Sequence, residues 1–242
     1  MSNSTQKAIA LIPARGGSKR FPGKNIARFI DKPLLCWTLE AAMASNCFEK
    51  IVVSSDDDET LEIANRYNNP KVEAIKRSDA LSADNATSAM VLNDLLDQCD
   101  ARGEAYDCCA ILLPTCPLRS GADIVNAFEL LDSETDAVVS MKASPCIPEF
   151  VFTLDGHQKA APLVKNSALF KGISRRQDYQ EMFYPNGAIY LSWTSTYREN
   201  ESFYTQNFKI YAMPEYRSVD IDVVEDLTLA EAYWKDYING QK

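Results

Sequence analysis

The sequence predicts an α/β protein with a mainly parallel sheet and helices on both faces. Three observations carry this prediction. From Lys7 to Met141, short apolar runs alternate with stretches of helical period, the pattern of repeated strand–helix–strand units. The 242 residues are 46% hydrophobic and 24% charged, enough apolar material for a large core. A glycine- and cation-rich loop follows the first apolar run, at the strand end where such sheets bind ligands.

The elements follow in order. Lys7–Pro13 reads as a strand, and Ala14 to Asn25 as a polar loop. Pro33 opens a helix over LLCWTLEAAMAS, since proline is accepted in a first turn. Lys50–Ser55 is a strand. Asp56–Tyr67 is a helix with an Asp cap and an acidic first turn. Val72–Ile75 is a third strand, and Thr87–Cys99 a helix capped by Asp84, Asn85 or Thr87. Tyr106–Leu113, Ile124–Leu131 and Asp136–Met141 continue as strand, helix and strand. The alternation fails from residue 142 to 185, which holds Pro145, Pro148, Pro162 and the Arg175-Arg176 pair. That length exceeds an ordinary connection and reads as an insertion serving function or oligomer formation within one domain spanning 1–242. Strands at Ala188–Trp193 and Phe208–Met213 and a helix over Val223–Ile238 complete the chain.

Composition excludes several functions. There are 25 Lys and Arg against 34 Asp and Glu, a net charge of -9, so a nucleic-acid coat protein is excluded. The single histidine, His157, lies in the turn-like TLDGH and rules out a His-rich metal site. Seven cysteines without a CxxC pair read as reduced thiols in a cytoplasm, with neither zinc nor a disulfide framework. No stretch approaches the roughly 18 apolar residues of a membrane span. The start, MSNSTQKAIALIPARGG, lacks a signal-peptide cleavage pattern.

Charge is unevenly placed. Between Arg15 and Lys32 there are six cations and one acid, net +5, while the other 224 residues carry net -14. In LIPARGGSKRFPGKN, glycines let the backbone turn and approach an anion, and Arg15, Lys19, Arg20 and Lys24 are suited to a polyphosphate. The spacing fits neither a P-loop nor a dinucleotide fingerprint. A solvated basic turn is the alternative. At the other end, Asp220 and Asp222 lie two apart in VDIDV. In extended chain both carboxylates face one side and repel unless a cation sits between them. Asp222 with Glu225 also has the form of a capping box for the last helix.

IPARGGSKRFPGKN resembles the N-terminal signature of the cytidylyltransferases that activate nonulosonic acids, the CMP-sialic acid synthetase group. IVVSSDD, LLPTCPLR, FYPNGAIYL and VDIDVVEDL resemble further segments of that family in the same order. The resemblance implies a Rossmann-like nucleotidyltransferase fold. It also implies transfer of CMP from CTP to the anomeric hydroxyl of a nonulosonic acid, with Mg²⁺ or Mn²⁺ as cofactor and a homodimer. Arg15, Lys24 and Asp222 are then the catalytic residues. Arg15, Gly16, Ser18, Lys19, Lys24, Asn25, Arg77 and Ser88 bind CTP, and Asp220 and Asp222 bind the metal. Arg176, Gln177 and Asn186 bind the sugar, although Asn-Gly is also a turn dipeptide and Ser88 also suits a helix start. Leu113 stands where sialate-activating members usually carry Gln, and Phe150 where they tend to carry Lys. The more apolar pocket turns the expectation from N-acetylneuraminate toward relatives such as legionaminate; the pseudaminate branch is less favoured because a different sequence is expected in place of YPNGAIY. The alternatives are another sugar acid, such as an octulosonate, and a non-catalytic nucleotide-binding protein of the same fold.

Overall fold

The computed structural model describes residues 6–175, 177 and 179–238. Seven strands form the main sheet: β1 (Ala8–Pro13), β2 (Lys50–Ser55), β3 (Val72–Lys76), β4 (Cys108–Ile111), β5 (Ala137–Ala143), β6 (Phe183–Trp193) and β7 (Phe208–Ala212). Their order is β7-β5-β6-β4-β1-β2-β3. β1 pairs in parallel with both β2 and β4, β2 with β3, and β5 with β7. β6 runs antiparallel to its neighbours β4 and β5. Besides a single helical turn at Asp79–Ser82, the helices are α1 (Leu34–Ser45), α2 (Asp58–Asn65), α3 (Ser88–Ala101), α4 (Gly121–Glu129), α5 (Thr194–Asn200) and α6 (Val224–Tyr233).

β1 is apolar throughout because both its faces are covered. Ala8, Ala10 and Ile12 join the core under α1 and α4; Ile9 and Leu11 join the core under α3 with Leu92, Leu95 and Leu96. A third cluster matters most for function. Val219, Ile221 and Ala230 pack with Phe29, Leu34 and Leu118, fastening the chain before α6 onto the end of the loop after β1.

Local signals explain the helix boundaries. Asp57 caps α2, accepting from the Thr60 N–H at 2.9 Å, and Thr87 caps α3, accepting from Met90 at 3.2 Å. Pro33 sits at the N-cap of α1, one residue outside the helix. α4 starts three residues before the expected Ile124, because Ser120 and Asp123 form a reciprocal capping box. Its first residue, Gly121, lies so close to α1 that a Cβ would stand 3.0 Å from the Ser45 nitrogen. The last helix is α6 followed by a π-helical turn over Trp234–Ile238.

β6 departs most from expectation. It begins at Phe183, five residues before Ala188, and carries Pro185 opposite Met141. Its register shifts between Pro185 and Tyr190, and Gly187 there has φ +78°. A bulge accommodates both the missing proline N–H and the left-handed glycine. The expected insertion at 142–185 is therefore shorter, since β5 reaches Ala143. Between the two strands lie single helical turns at Pro148–Phe150 and Ala168–Lys171 and a small hairpin of Phe152–Leu154 with Ala160–Pro162. His157 is exposed at the turn of this hairpin, the structural place expected of it. The seven cysteines are free, and five are buried. Among the described residues no helix is long and apolar enough to cross a membrane.

An ion network ties the sheet's edge to its helices. Lys50 of β2 bonds Glu73 of β3 at 3.0 Å and Glu104, beyond α3, at 2.9 Å; Arg102 reaches Glu104 at 3.2 Å. The Lys50 hydrogen bond, with Arg102 and against partial desolvation, lowers the Glu104 pKa from 4.5 to about 2. A folded-state pKa below the unfolded one adds stability above the unfolded pKa, and that stability is lost as pH falls through the folded pKa. Glu104→Gln should therefore flatten the decline in urea midpoint between about pH 5 and pH 3. A decline as steep as wild type would show that this network does not set acid stability.

Candidate active site

The loop after β1 is shaped from behind. The Ala14 N–H continues the β1–β2 ladder to the Ser54 carbonyl at 2.9 Å. The Gly16 N–H donates to Asp56 Oδ1 at 2.8 Å, and a Cβ at Gly16 would stand 3.0 Å from Asp57 Cβ. Glycine is needed there for close approach, and its N–H is already engaged. The structure thus places Gly16 behind the loop, away from the cleft where a nucleotide contact was expected. Gly23 takes φ +67° and turns the chain into a single helical turn at Lys24–Ile26. Asn25 is buried, and its side-chain amide donates to the Arg15 carbonyl at 2.8 Å. It therefore braces the loop while also lining the cleft.

The cleft in front of this loop has a volume of about 420 Å³. Arg15, Ser18, Lys19, Lys24 and Asn25 line one side, and Arg77 and Ser88 another. Leu113–Thr115, at the end of β4, and the Asp220–Asp222 pair close it. Arg77 is buried, donating from Nη2 to the Ser54 carbonyl at 2.7 Å and from Nε to Ser54 Oγ at 3.2 Å. Burial lowers its pKa, with Asp56 opposing and Arg15 adding to the shift. Ser88 is the first residue of α3; Thr87 does the capping, which frees the Ser88 hydroxyl from that task.

The acidic side depends on strand-like alternation. Val219 and Ile221 are buried, and the Ile221 N–H donates to the Thr115 carbonyl at 2.8 Å. Asp220 and Asp222 therefore both face the cleft. The capping-box reading of Asp222 with Glu225 is corrected here. Asp226 accepts from the Asp222 and Val223 N–H groups at 2.8 and 2.9 Å, so the Asp222 carboxylate stays out of the cap. Lys24 donates to Asp222 Oδ1 at 3.0 Å and Arg20 to Oδ2 at 2.9 Å. Desolvation disfavours the charged form of Asp222, but Lys24 and Arg20 outweigh it and hold the pKa below the ordinary value. Asp220 behaves oppositely. It is open to the cleft yet ringed by protein, and this desolvation raises its pKa; the Thr115 hydroxyl opposes the shift and Asp222 adds to it. Two carboxylates with hard oxygen donors fit a small divalent cation. Among the described residues no third acidic, His or Cys ligand joins them. Water and a substrate phosphate would supply the remaining ligands, the usual arrangement for Mg²⁺.

Asn186 is not presented to the cleft. It is 2% exposed, and its Oδ1 accepts from Ser140 Oγ at 2.7 Å and from the Ala188 N–H at 3.1 Å. Its Nδ2 donates to Ser218 Oγ at 2.9 Å. The expected sugar contact is an internal brace joining β5, β6 and the segment before Asp220. Gln177 is exposed on the insertion and does not line the cleft; Arg176 lies outside the described residues. Residues missed by sequence reasoning include Thr115 and Asp226; Arg20, expected as a polyphosphate cation, instead pairs with Asp222, 202 positions away. A second, more apolar pocket of about 230 Å³ shares Ser88 and Leu113 with the cleft and adds Ile111, Tyr190, Phe203 and Tyr204. Leu113 was read as making the pocket more apolar; the adjacent aromatics of SFY that complete the wall were not.

A mainly parallel sheet whose strand ends carry a cationic loop, facing a carboxylate pair, defines a nucleotide-handling α/β protein. The model of the family described as cytidylyltransferase matches residues 9–238, and the chain belongs to that family of nucleotidyltransferases. It is 30% identical over 234 residues to a pseudaminic acid cytidylyltransferase of Campylobacter jejuni, covering 95% of this chain and 97% of that one. It is 36% identical over 223 residues to an N-acylneuraminate cytidylyltransferase of Streptococcus agalactiae, covering 91% of this chain and 51% of that one, so the chain spans about half of that relative. A CMP-N,N'-diacetyllegionaminic acid synthase of Legionella pneumophila is 32% identical, with 93% and 95% covered. Among solved structures, a CMP:2-keto-3-deoxy-manno-octonic acid synthetase complexed with CTP superposes with a TM-score of 0.67. That likeness covers 96% of this chain and all of that one at 16% identity, and it shows the Rossmann-like nucleotidyltransferase fold.

The two placements of Asn186, inside the fold or against a ligand, differ in a measurable way. Asn186→Ala should lower unfolding stability by about 2–3 kcal/mol, because it leaves buried hydroxyl and N–H partners unsatisfied. Urea denaturation without ligand checks this; a change below about 0.5 kcal/mol would contradict the brace.

Proposed function

We propose that this protein transfers CMP from CTP to the anomeric hydroxyl of a nonulosonic acid, releasing pyrophosphate. The observation that carries this reading is the cleft itself, which sets four loop cations and Arg77 against two carboxylates at the carboxyl ends of the strands. Arg15, Lys19 and Lys24 hold the triphosphate, and Arg77, Ser88 and Asn25 orient the nucleoside. Asp220 and Asp222 hold a divalent ion, Mg²⁺ or Mn²⁺. When bound, that ion neutralises charge developing on the phosphates and favours ionisation of the attacking hydroxyl. Lys24 is only 13% exposed and touches Asp222, so one desolvated cation stands between the acid pair and the phosphates. The work is positioning and charge stabilisation, as phosphoryl-type transfer requires. The single histidine takes no part.

The sugar's acyl side fits the apolar pocket that shares Ser88 and Leu113 with the cleft. Acetyl methyl groups gain from Ile111, Leu113 and Phe203, and the hydroxyls of Tyr190 and Tyr204 offer polar partners. The pocket supports a diacetylated acid of the legionaminate type over N-acetylneuraminate. An octulosonate, lacking acyl groups, uses such a pocket less well. CTP-dependent pyrophosphate release is expected with one nonulosonic acid in a panel of legionaminate, pseudaminate, neuraminate and octulosonate. Leu113→Gln should shift kcat/KM toward neuraminate by about tenfold relative to the preferred sugar. No release with any of the four would sink the reading, and tight CTP binding without turnover would support a non-catalytic nucleotide-binding protein.

The same reading includes a homodimer in a cytoplasm, with neither nucleic acid nor membrane as partner. The insertion exposes Leu154, Leu163 and Phe170 by 59–71%, too much apolar surface for so small a hairpin to cover alone. Light scattering should give twice the 27.0 kDa chain mass. Phe170→Asp should move it toward the monomer; a monomeric wild type would remove the dimer from the proposal.

A further inference from the structure

All four cations of the loop are already paired with carboxylates before any nucleotide binds. Lys24 and Arg20 hold Asp222, whose presence the metal reading explains. Lys19 lies 2.5 Å from Asp84 Oδ2, and Arg15 lies 3.5 Å from Asp84 Oδ1. Nothing in the proposed reaction calls for an acid at position 84.

Asp84 sits in a tight turn, where the Ala86 N–H donates to the Ala83 carbonyl at 3.0 Å, just before α3. An aspartate in such a turn ordinarily earns its place by accepting a nearby backbone N–H. Here Thr87 caps α3, and among the described residues no backbone N–H donates to Asp84. Its carboxylate meets two cations that line the cleft and are expected to hold the triphosphate. Lys19, and then Arg15, hold its pKa below the ordinary value, so it is charged at neutral pH.

The geometry points to Asp84 as an internal counter-ion that competes with polyphosphate for Arg15 and Lys19, and so sets the affinity of the cleft. This rests on the reading that these cations take the triphosphate. Unpaired, four like charges on one loop would repel; with Asp84 and Asp222 in place the loop is ordered in advance. A polyphosphate must then displace Asp84 or bind against its charge. This weakens CTP and pyrophosphate alike, an effect on binding in the ground state that favours release of the second product. Asp84 also returns to the cations when pyrophosphate leaves.

Calorimetric titration with CTP and with inorganic pyrophosphate, in metal-free buffer at low ionic strength, tests this directly. Asp84→Asn should bind both about three- to tenfold tighter. In a Lys19→Ala background the same change should gain much less, because the coupling runs through that pair. Asp84→Ser should repeat the gain and controls for any effect of Asn on the turn. If Arg15→Ala and Lys19→Ala weaken CTP binding but neither Asp84 variant strengthens it, Asp84 is not the competitor. If the cation variants leave CTP binding unchanged, the placement of the triphosphate is wrong, and the role of Asp84 falls with it.

Discussion

Closure of the first loop onto the last strand-like segment is the constraint on which the site depends. Lys24 and Asp222 meet across 198 positions, Arg20 and Asp222 across 202. Asp222 is 42% exposed, and ion pairs open to water on one side are weak fasteners, so these two could not hold the chain ends together alone. The fastening is apolar. Phe29, Leu34 and Leu118 pack with Val219 and Ile221, so burial sets the approach and leaves the charged groups at the edge of the contact. The proposed reaction, in which Asp222 passes to a metal and its cations to phosphate, calls for this division. Strong hydrophobic contacts hold the frame, and weak exchangeable pairs hold the reactive groups.

The same division accounts for what could be read from the sequence. β1, β2, the cationic loop, α2 and α3 were legible because their signals are local: apolar runs, an Asp or Thr cap, glycines beside cations. The acid pair was legible because alternation places two carboxylates on one side of an extended segment. Asn186 was misplaced because Asn-Gly marks a turn whether its amide faces a ligand or, as here, joins Ser140 and Ser218. The cap on α6 was assigned to the wrong acid because Asp222, Glu225 and Asp226 all stand at plausible spacings. Only the path of the chain decides that Asp226 reaches back. The start of β6 was missed because Pro185 argues against a strand unless a bulge follows it.

Position 113 shows how little of specificity is local. Its side chain belongs to both the cation-lined cleft and the apolar pocket. Relatives named for three different sugars lie between 30% and 36% identity, so overall likeness does not rank the sugars. In the proposed reading the pocket wall ranks them, and it is assembled from β4, β6 and the segment after α5.

The antiparallel β6 adds a last consequence. By entering between β4 and β5 it brings the Ala188 carbonyl beside the loop that follows β4. Arg119, only 2% exposed, donates to that carbonyl at 2.7 Å and to the Leu113 carbonyl at 3.3 Å. Burial lowers its pKa to about 10, which still leaves it charged at neutral pH. No carboxylate within salt-bridge distance neutralises it among the described residues. A buried cation held by carbonyls is costly unless its geometry is needed. Here it fixes Leu113, a wall of both pockets, to the strand that carries Asn186 and Gly187 beneath Asp220. This wall of the cleft is thus tied to β6 from behind, while the paired charges lie on the loop facing it.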